Sequence, residues 1–246
     1  MANREPLLIN EYYHAYNRGA DKRIIFDDVF DILRFLQSMQ EFNSVEPIGS
    51  IYEKNYHNKE ENVNFGGFAP KAFKSDRLVK IVAYCLNPNH FHLILSPLVE
   101  NGISEFMKRL GGGYTTYYNI KNNRKGVLFQ GVFKSKHIDS DSYLRFLSAY
   151  VNLNFKVHKK FEKNNGKNQS VFKSSWDEYL NAKIIKKKGT NEHKIINNKD
   201  DICDKSMILS HFNSIEEYKR FAIESLREIK RKRYNEDDII KDDFSL

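Results

Sequence analysis

Between Asp27 and Phe42 the apolar residues Val29, Phe30, Ile32, Leu33, Phe35, Leu36 and Met39 recur at intervals of three and four. This period predicts an amphipathic helix, with Asp27 or Asp28 as its cap. Upstream, the Tyr-rich segment from Tyr12 runs into Asn17-Arg18-Gly19, a strand followed by a turn. Residues 78–86 (LVKIVAYCL) and 90–96 (HFHLILS) are apolar runs separated by Asn87-Pro88-Asn89, which predicts a hairpin. Helical spacing returns over 102–119 through Ile103, Phe106, Met107, Leu110, Tyr114, Tyr117 and Tyr118, with Gly111-Gly112-Gly113 expected to interrupt or loosen the helix. Alternation over Val127 to Ile138 predicts a fourth strand. Residues 141–157, carrying Tyr143, Phe146, Leu147, Tyr150 and Val151 at helical spacing behind a cap at 139–141, predict another helix.

The order strand, helix, strand, strand, helix, strand, then helix is that of a split βαβ sandwich, ferredoxin- or RRM-like. The class is therefore α+β, an antiparallel sheet with helices mainly on one face. Residues 43–75 keep no period and collect Asn, Gly, Pro and charge, so they read as an irregular insertion. After Leu180 the chain turns Lys- and Asn-rich and ends in a helix over 214–234. The expected organisation is a main domain over 1–180 and a basic connector with a C-terminal helical extension over 181–246.

Composition narrows the partners. A formal charge of +8 and a pI near 9.2 suit a polyanion such as nucleic acid, although solubility alone is an alternative. Aromatic residues make up 13% of the chain, enough for a core with rings left over to stack on unpaired bases. Cys85 and Cys203 are too few and too far apart for a disulfide framework, and no apolar run or secretory start occurs. The expectation is a cytoplasmic, bacterial-type intracellular protein with no membrane partner.

In His90-Phe91-His92 the two imidazoles sit two residues apart on a strand and so share a face, as two ligands of one cation or as an ordinary hydrogen-bonded pair. Tyr150 and Asn154, one helical turn apart, put a phenol and an amide oxygen on a common face. Either residue alone reads more simply as core. The four together suggest a site.

Several blocks resemble the single-tyrosine HUH transposases of the REP-associated tyrosine transposase and IS200-like group. They are YHAYNRGADKRIIF at 13–26, YCLNPNHFHLIL at 84–95, ISEFMKRLGGGYTTYYN at 103–119, GVLFQGVFKSK at 126–136, YLRFLSAYVNLN at 143–154 and SSWDEYL at 174–180. The resemblance implies that His90 and His92 are the metal-binding pair, that Asn154 completes the metal site, and that Tyr150 is the nucleophile. It implies a divalent metal, Mg2+ or Mn2+, and cleavage and rejoining of single-stranded DNA through a 5′-phosphotyrosine at hairpin or palindromic ends. The group includes swapped dimers as well as monomers, which leaves a homodimer open. The sequence departs from the group twice: LNPNH stands where L-M-P-N-H is usual, and Phe155 follows Asn154 where Pro is common.

The chemistry agrees with that implication. A phenol with an ordinary pKa of about 10 is a weak nucleophile at neutral pH, and a phosphodiester needs its negative oxygens neutralised. No G-x-x-x-x-G-K-[ST] occurs, as suits an exchange of one phosphoester for another without ATP. From Phe106 to Ile138 there is no acid, while Lys108, Arg109, Lys121, Arg124, Lys125, Lys134 and Lys136 fall inside it. Arg109, Arg124, Lys134 and Lys136 are the expected DNA contacts, with Arg18 after the first strand as a further one. His14 and His137 read as structural or peripheral. Two alternatives stay open: an inactive binder of repetitive palindromic DNA or RNA, and a replication or relaxation initiator with the same chemistry.

Overall fold

The computed structural model describes residues 6–51, 76–157, 171–186 and 193–236. Strand β1 (Tyr12–Arg18) leads to α1 (Val29–Glu41), then to the hairpin β2 (Val79–Asn87) and β3 (His90–Pro97). Helix α2 (Gly102–Lys121) connects β3 to β4 (Lys134–Ile138), which precedes α3 (Asp141–Asn152). A two-residue strand β5 (Lys173–Ser174), a short helix α4 (Trp176–Leu180), the ribbon β6 (Lys183–Lys186) and β7 (His193–Ile196), a one-turn helix α5 (Ser206–Leu209) and the long α6 (Ile215–Glu236) follow.

The main sheet is antiparallel with order β4-β1-β3-β2-β5. The two crossover helices lie on one of its faces, where Phe35 and Met39 of α1 and Phe106, Leu110 and Tyr114 of α2 pack on Tyr13, Ala15, Phe91, Leu93 and Leu95. This is the expected split βαβ core, built where alternate strand residues meet helical stripes. The opposite face is covered by α3 together with the C-terminal helices. Leu144, Leu147 and Val151 share a core there with Tyr179, Ile208, Tyr218 and Ala222, against Val82, Ala83, Cys85 and Ile94 of the strands. Residues beyond 180 therefore contribute to the same sandwich, and α6 packs directly on α3.

Several sequence expectations are corrected. Helix α2 runs unbroken through the three glycines: Gly111 and Gly112 face open space, while a Cβ on Gly113 would lie 2.5 Å from the Phe42 ring, so that glycine permits the close approach of the chain leaving α1. Strand β4 is only the second half of the expected one. Its first half instead crosses the end of β1, with Gln130 N–H donating to the Arg18 carbonyl and Gly131 at φ +69°. Helix α3 stops at Asn152 because Leu153 leaves helical backbone angles (φ −111°, ψ 12°), and Asn154 opens a separate 3-10 turn, Asn154–Lys156. The connector after Leu180 contains the β6–β7 ribbon. Of the 43–75 insertion, residues 52–75 lie outside the described residues.

A bulge in β2 between Ile81 and Ala83 turns both Val82 and Ala83 toward the second helical layer. Alternation then resumes, which sets Cys85 and Asn87 opposite His92 and His90.

Candidate functional site

Cross-strand partners in an antiparallel pair project from the same face, so the register alone assembles the site. One row across the sheet is Lys134, Tyr16, His92 and Cys85; the row beyond it is Arg18, His90 and Asn87; the row before it is Lys136, His14 and Ile94. All lie on the face covered by α3, away from α1 and α2.

The two imidazoles stand edge to face with centroids 5.1 Å apart. His90 is half-buried and held at both nitrogens: Nδ1 lies 2.7 Å from the Asn89 Oδ1 acceptor and Nε2 lies 3.1 Å from Asn87 Nδ2. These partners assign the proton to Nδ1 and a lone pair to Nε2. His92 is buried, and its Nδ1 lies 2.9 Å from Nε2 of His14, itself buried on β1. Burial, reinforced by the Lys136 charge, pushes the His14 pKa down to about 4, so this ring is neutral at physiological pH and one proton is shared between the facing nitrogens. With that proton on His92 Nδ1, Nε2 of His92 is an acceptor.

Tyr150 projects from α3 to the same place. Its ring stands edge-on to His92 with centroids 5.7 Å apart, and 6.4 Å from His14. Tyr16, the cross-strand neighbour of His92, stacks on its ring at 5.9 Å, and burial raises the Tyr16 pKa. Asn154 is fully buried, its Oδ1 accepting from Asn87 Nδ2 at 2.8 Å. Its own Nδ2 is buried with no hydrogen-bond partner among the described residues. The four expected site residues thus meet within one chain, although Asn154 arrives on the 3-10 turn after α3 and not on the helix itself.

These groups could hold a divalent cation through two imidazole nitrogens and an amide oxygen. Nε2 of His90 and Oδ1 of Asn154 both aim lone pairs at one amide NH2, a positive pole where a cation would find the same two acceptors. Among the described residues no group of three or more His, Cys, Asp or Glu is placed to hold a metal. A cation bound here would rely on imidazole and amide donors, with water and phosphate completing its shell.

The expected DNA contacts separate into two sets. Lys134 and Lys136 are exposed on the imidazole face, Lys136 reaching over the Tyr143 ring at 5.7 Å, and Arg18 is exposed beside His90 with its Nε donating to Gln130. Arg109 and Arg124 belong to the other side of the sheet. The Arg109 guanidinium clamps α2 to the segment after α1 through Glu105 (2.8 Å) and the Ser44 carbonyl (2.6 Å), and Arg124 lies over the Tyr118 ring. Lys121, counted in the acid-free run, is paired with Asp28 and Asp31 at 2.9 and 2.7 Å. His14, expected from the sequence to be structural or peripheral, lies against His92, and Tyr16 and Asn87, which the sequence did not single out, join it at the candidate site; their signal is strand alternation, which becomes readable only once the register is known.

Among the described residues no helix is long and apolar enough to cross a membrane. No curated protein matches the chain. A solved structure of a REP-associated tyrosine transposase bound to a REP hairpin is similar at a TM-score of 0.40 and 13% identity, covering 72% of this chain and 83% of that one. The family model described as "Transposase IS200 like" matches residues 50–154, from the segment after α1 to the buried Asn154. Over residues 50–154, somewhat less than half of its length, the chain is similar to the IS200-like transposases.

Proposed function

We propose that this protein cleaves and rejoins single-stranded DNA at hairpin or palindromic ends, with Tyr150 as covalent nucleophile and His90, His92 and Asn154 as holders of Mg2+ or Mn2+. The observation that carries the reading is the edge-on approach of Tyr150 to His92 at 5.7 Å within one chain. A phenol at that distance from an imidazole pair shares a phosphate's reach with it.

In this reading Tyr150 Oη forms a bond to the scissile phosphorus as the bond from phosphorus to the 3′ oxygen breaks. The phenol gives up its proton and the departing oxygen takes one up, leaving a 5′-phosphotyrosine and a free 3′ hydroxyl. Attack by a different 3′ hydroxyl reverses the step and transfers the strand, with the number of phosphoester bonds conserved. A cation bound by the imidazoles and the Asn154 oxygen supplies charge neutralisation at the non-bridging oxygens. His14 fixes the His92 ring through the Nε2 to Nδ1 contact. Lys134, Lys136 and Arg18 line the approach with positive charge and steer the backbone toward the imidazoles.

The test is incubation of the full chain with end-labelled single-stranded hairpin DNA and Mg2+ or Mn2+, followed by a denaturing gel. A protein-linked band that Tyr150→Phe abolishes is expected. Tight hairpin binding without an adduct under either metal would make the protein a binding module and remove the cleavage mechanism.

A further inference from the structure

Asn87 is fully buried at the end of β2, paired across the hairpin with His90. Its amide nitrogen donates at once to Asn154 Oδ1 at 2.8 Å and to His90 Nε2 at 3.1 Å. Its oxygen faces the Cys85 thiol, Sγ to Oδ1 3.8 Å. One end of this amide is therefore set among two of the groups assigned above to the cation, and the other end meets only a weak partner.

The spacing is that of ordinary hydrogen bonds and is also compatible with donors that share one cation. Mg2+ or Mn2+ holds donors at about 2.1 Å in an octahedron, whose adjacent donor atoms are about 3 Å apart. The Asn87 amide nitrogen lies at that separation from both His90 Nε2 and Asn154 Oδ1. A half-turn about the terminal amide torsion, which is broad and roughly two-fold, exchanges nitrogen and oxygen with little displacement of either position. The oxygen would then occupy a ligand position, and the nitrogen would face a sulfur that accepts a hydrogen bond as readily as its thiol donates one. A thioether at this position would offer a hard cation almost nothing.

We propose that Asn87 is a ligand of the divalent cation through Oδ1, adjacent to His90 Nε2 and Asn154 Oδ1. In the amide orientation seen here it holds those two donors in place for the cation. The proposal rests on the reading that His90, His92 and Asn154 form the metal site, and its test separates the two.

The test measures Mn2+ binding to the full chain without DNA, by the free-Mn2+ paramagnetic resonance signal, for the wild type, Asn87→Met, Asn87→Asp and His92→Ala, each checked for folding by thermal melting. Asn87→Met is expected to weaken binding tenfold or more, and Asn87→Asp, which keeps an oxygen and adds charge, to bind at least as tightly as wild type. The side-chain amide resonances of Asn87 are expected to move when Mg2+ is added. Unchanged or tighter binding by Asn87→Met, with His92→Ala impaired, overturns the role of Asn87 and leaves the metal site standing. If Asn87→Met does not fold, binding by Asn87→Asp weaker than wild type overturns the role instead. Wild-type and His92→Ala proteins that are equally unable to bind Mn2+ overturn both.

Discussion

Tyr150 and His92 meet edge to face, 5.7 Å between centroids, although one comes from a helix and the other from the sheet it covers. What holds them together is the anchoring of α3 on both sides. Two residues past Tyr150, Asn152 donates to the Tyr218 hydroxyl of α6 at 2.7 Å and accepts from the Ser175 hydroxyl, which in turn receives the Tyr84 N–H of β2. The helix carrying the phenol is thus tied to the sheet below it and to the C-terminal helix above it. In this chain the extension after residue 180 helps fix the position of Tyr150.

Two phenols flank His92, and they are expected to separate cleanly. Tyr150→Phe abolishes the covalent DNA adduct while leaving hairpin affinity within about twofold, because the ring and its packing are kept. Tyr16→Phe keeps the adduct, since its register position beside Lys134 makes it a wall of the site. A denaturing gel and a binding titration on the same preparations check both; an adduct surviving Tyr150→Phe and lost in Tyr16→Phe would exchange their roles.

Charge reversal divides the basic residues by face. Lys134→Glu and Lys136→Glu are each expected to weaken hairpin binding and to lower the slope of log affinity against log salt by about 0.7 or more, the contribution of one phosphate contact to a single strand. Arg109→Met is expected to leave that slope unchanged and to lower stability by about 1 to 2 kcal/mol, as its hydrogen bonds to Glu105 and the Ser44 carbonyl are lost. Binding isotherms at three salt concentrations, with urea unfolding of the Arg109 variant, decide between these uses.

That division was not legible in the sequence. The stretch from Phe106 to Ile138 is free of acids, yet Asp28 and Asp31 reach Lys121 from α1, and Glu105 lies one turn before Arg109. Charge neutrality is decided by neighbours in space, which a linear run does not record. Hydrophobic period did locate α1, the hairpin and α3, because each buries a one-sided stripe or alternate face. It overextended α3, since Leu153 and Phe155 continue the apolar pattern after the backbone has left the helix. His90, His92 and Tyr150 could be picked out from the sequence as a candidate set, whereas the contacts of Asn87 and His14 with them follow only from the strand register and the side chains it brings together.

Glu178 gives the fold a pH dependence of predictable sign. Its carboxylate, half-buried on α4, accepts from the Tyr84 hydroxyl and the Cys203 N–H, both at 2.9 Å, but burial outweighs these bonds and raises its pKa above the ordinary 4.5. A folded state that holds this proton more tightly than the unfolded chain is stabilised at low pH, and the advantage fades as pH rises through the folded pKa. The difference in unfolding free energy between wild type and Glu178→Gln should therefore shift against the wild type as pH increases from about 4.5 toward neutrality. Urea unfolding of both proteins across that range measures it, and a difference that does not change with pH would remove Glu178 as the cause.

The three glycines of α2 should respond to alanine with opposite signs. Gly111 and Gly112 face open space in an unbroken helix, so a methyl group there clashes with nothing and reduces the freedom of the unfolded chain; each alanine is expected to stabilise by about 0.5 to 1 kcal/mol. Gly113 is pressed against Phe42, whose ring atoms lie 2.5 Å from where a Cβ would stand, and that ring is buried at the end of α1. Relieving the overlap requires moving either the aromatic ring or the α1–α2 contact, so Gly113→Ala is expected to destabilise by about 1 to 3 kcal/mol. Thermal or urea unfolding of the three single variants tests the pair of signs. Stabilisation by all three would mean that the helices are not in close contact at Gly113, and destabilisation by all three would mean that α2 is not helical through the run.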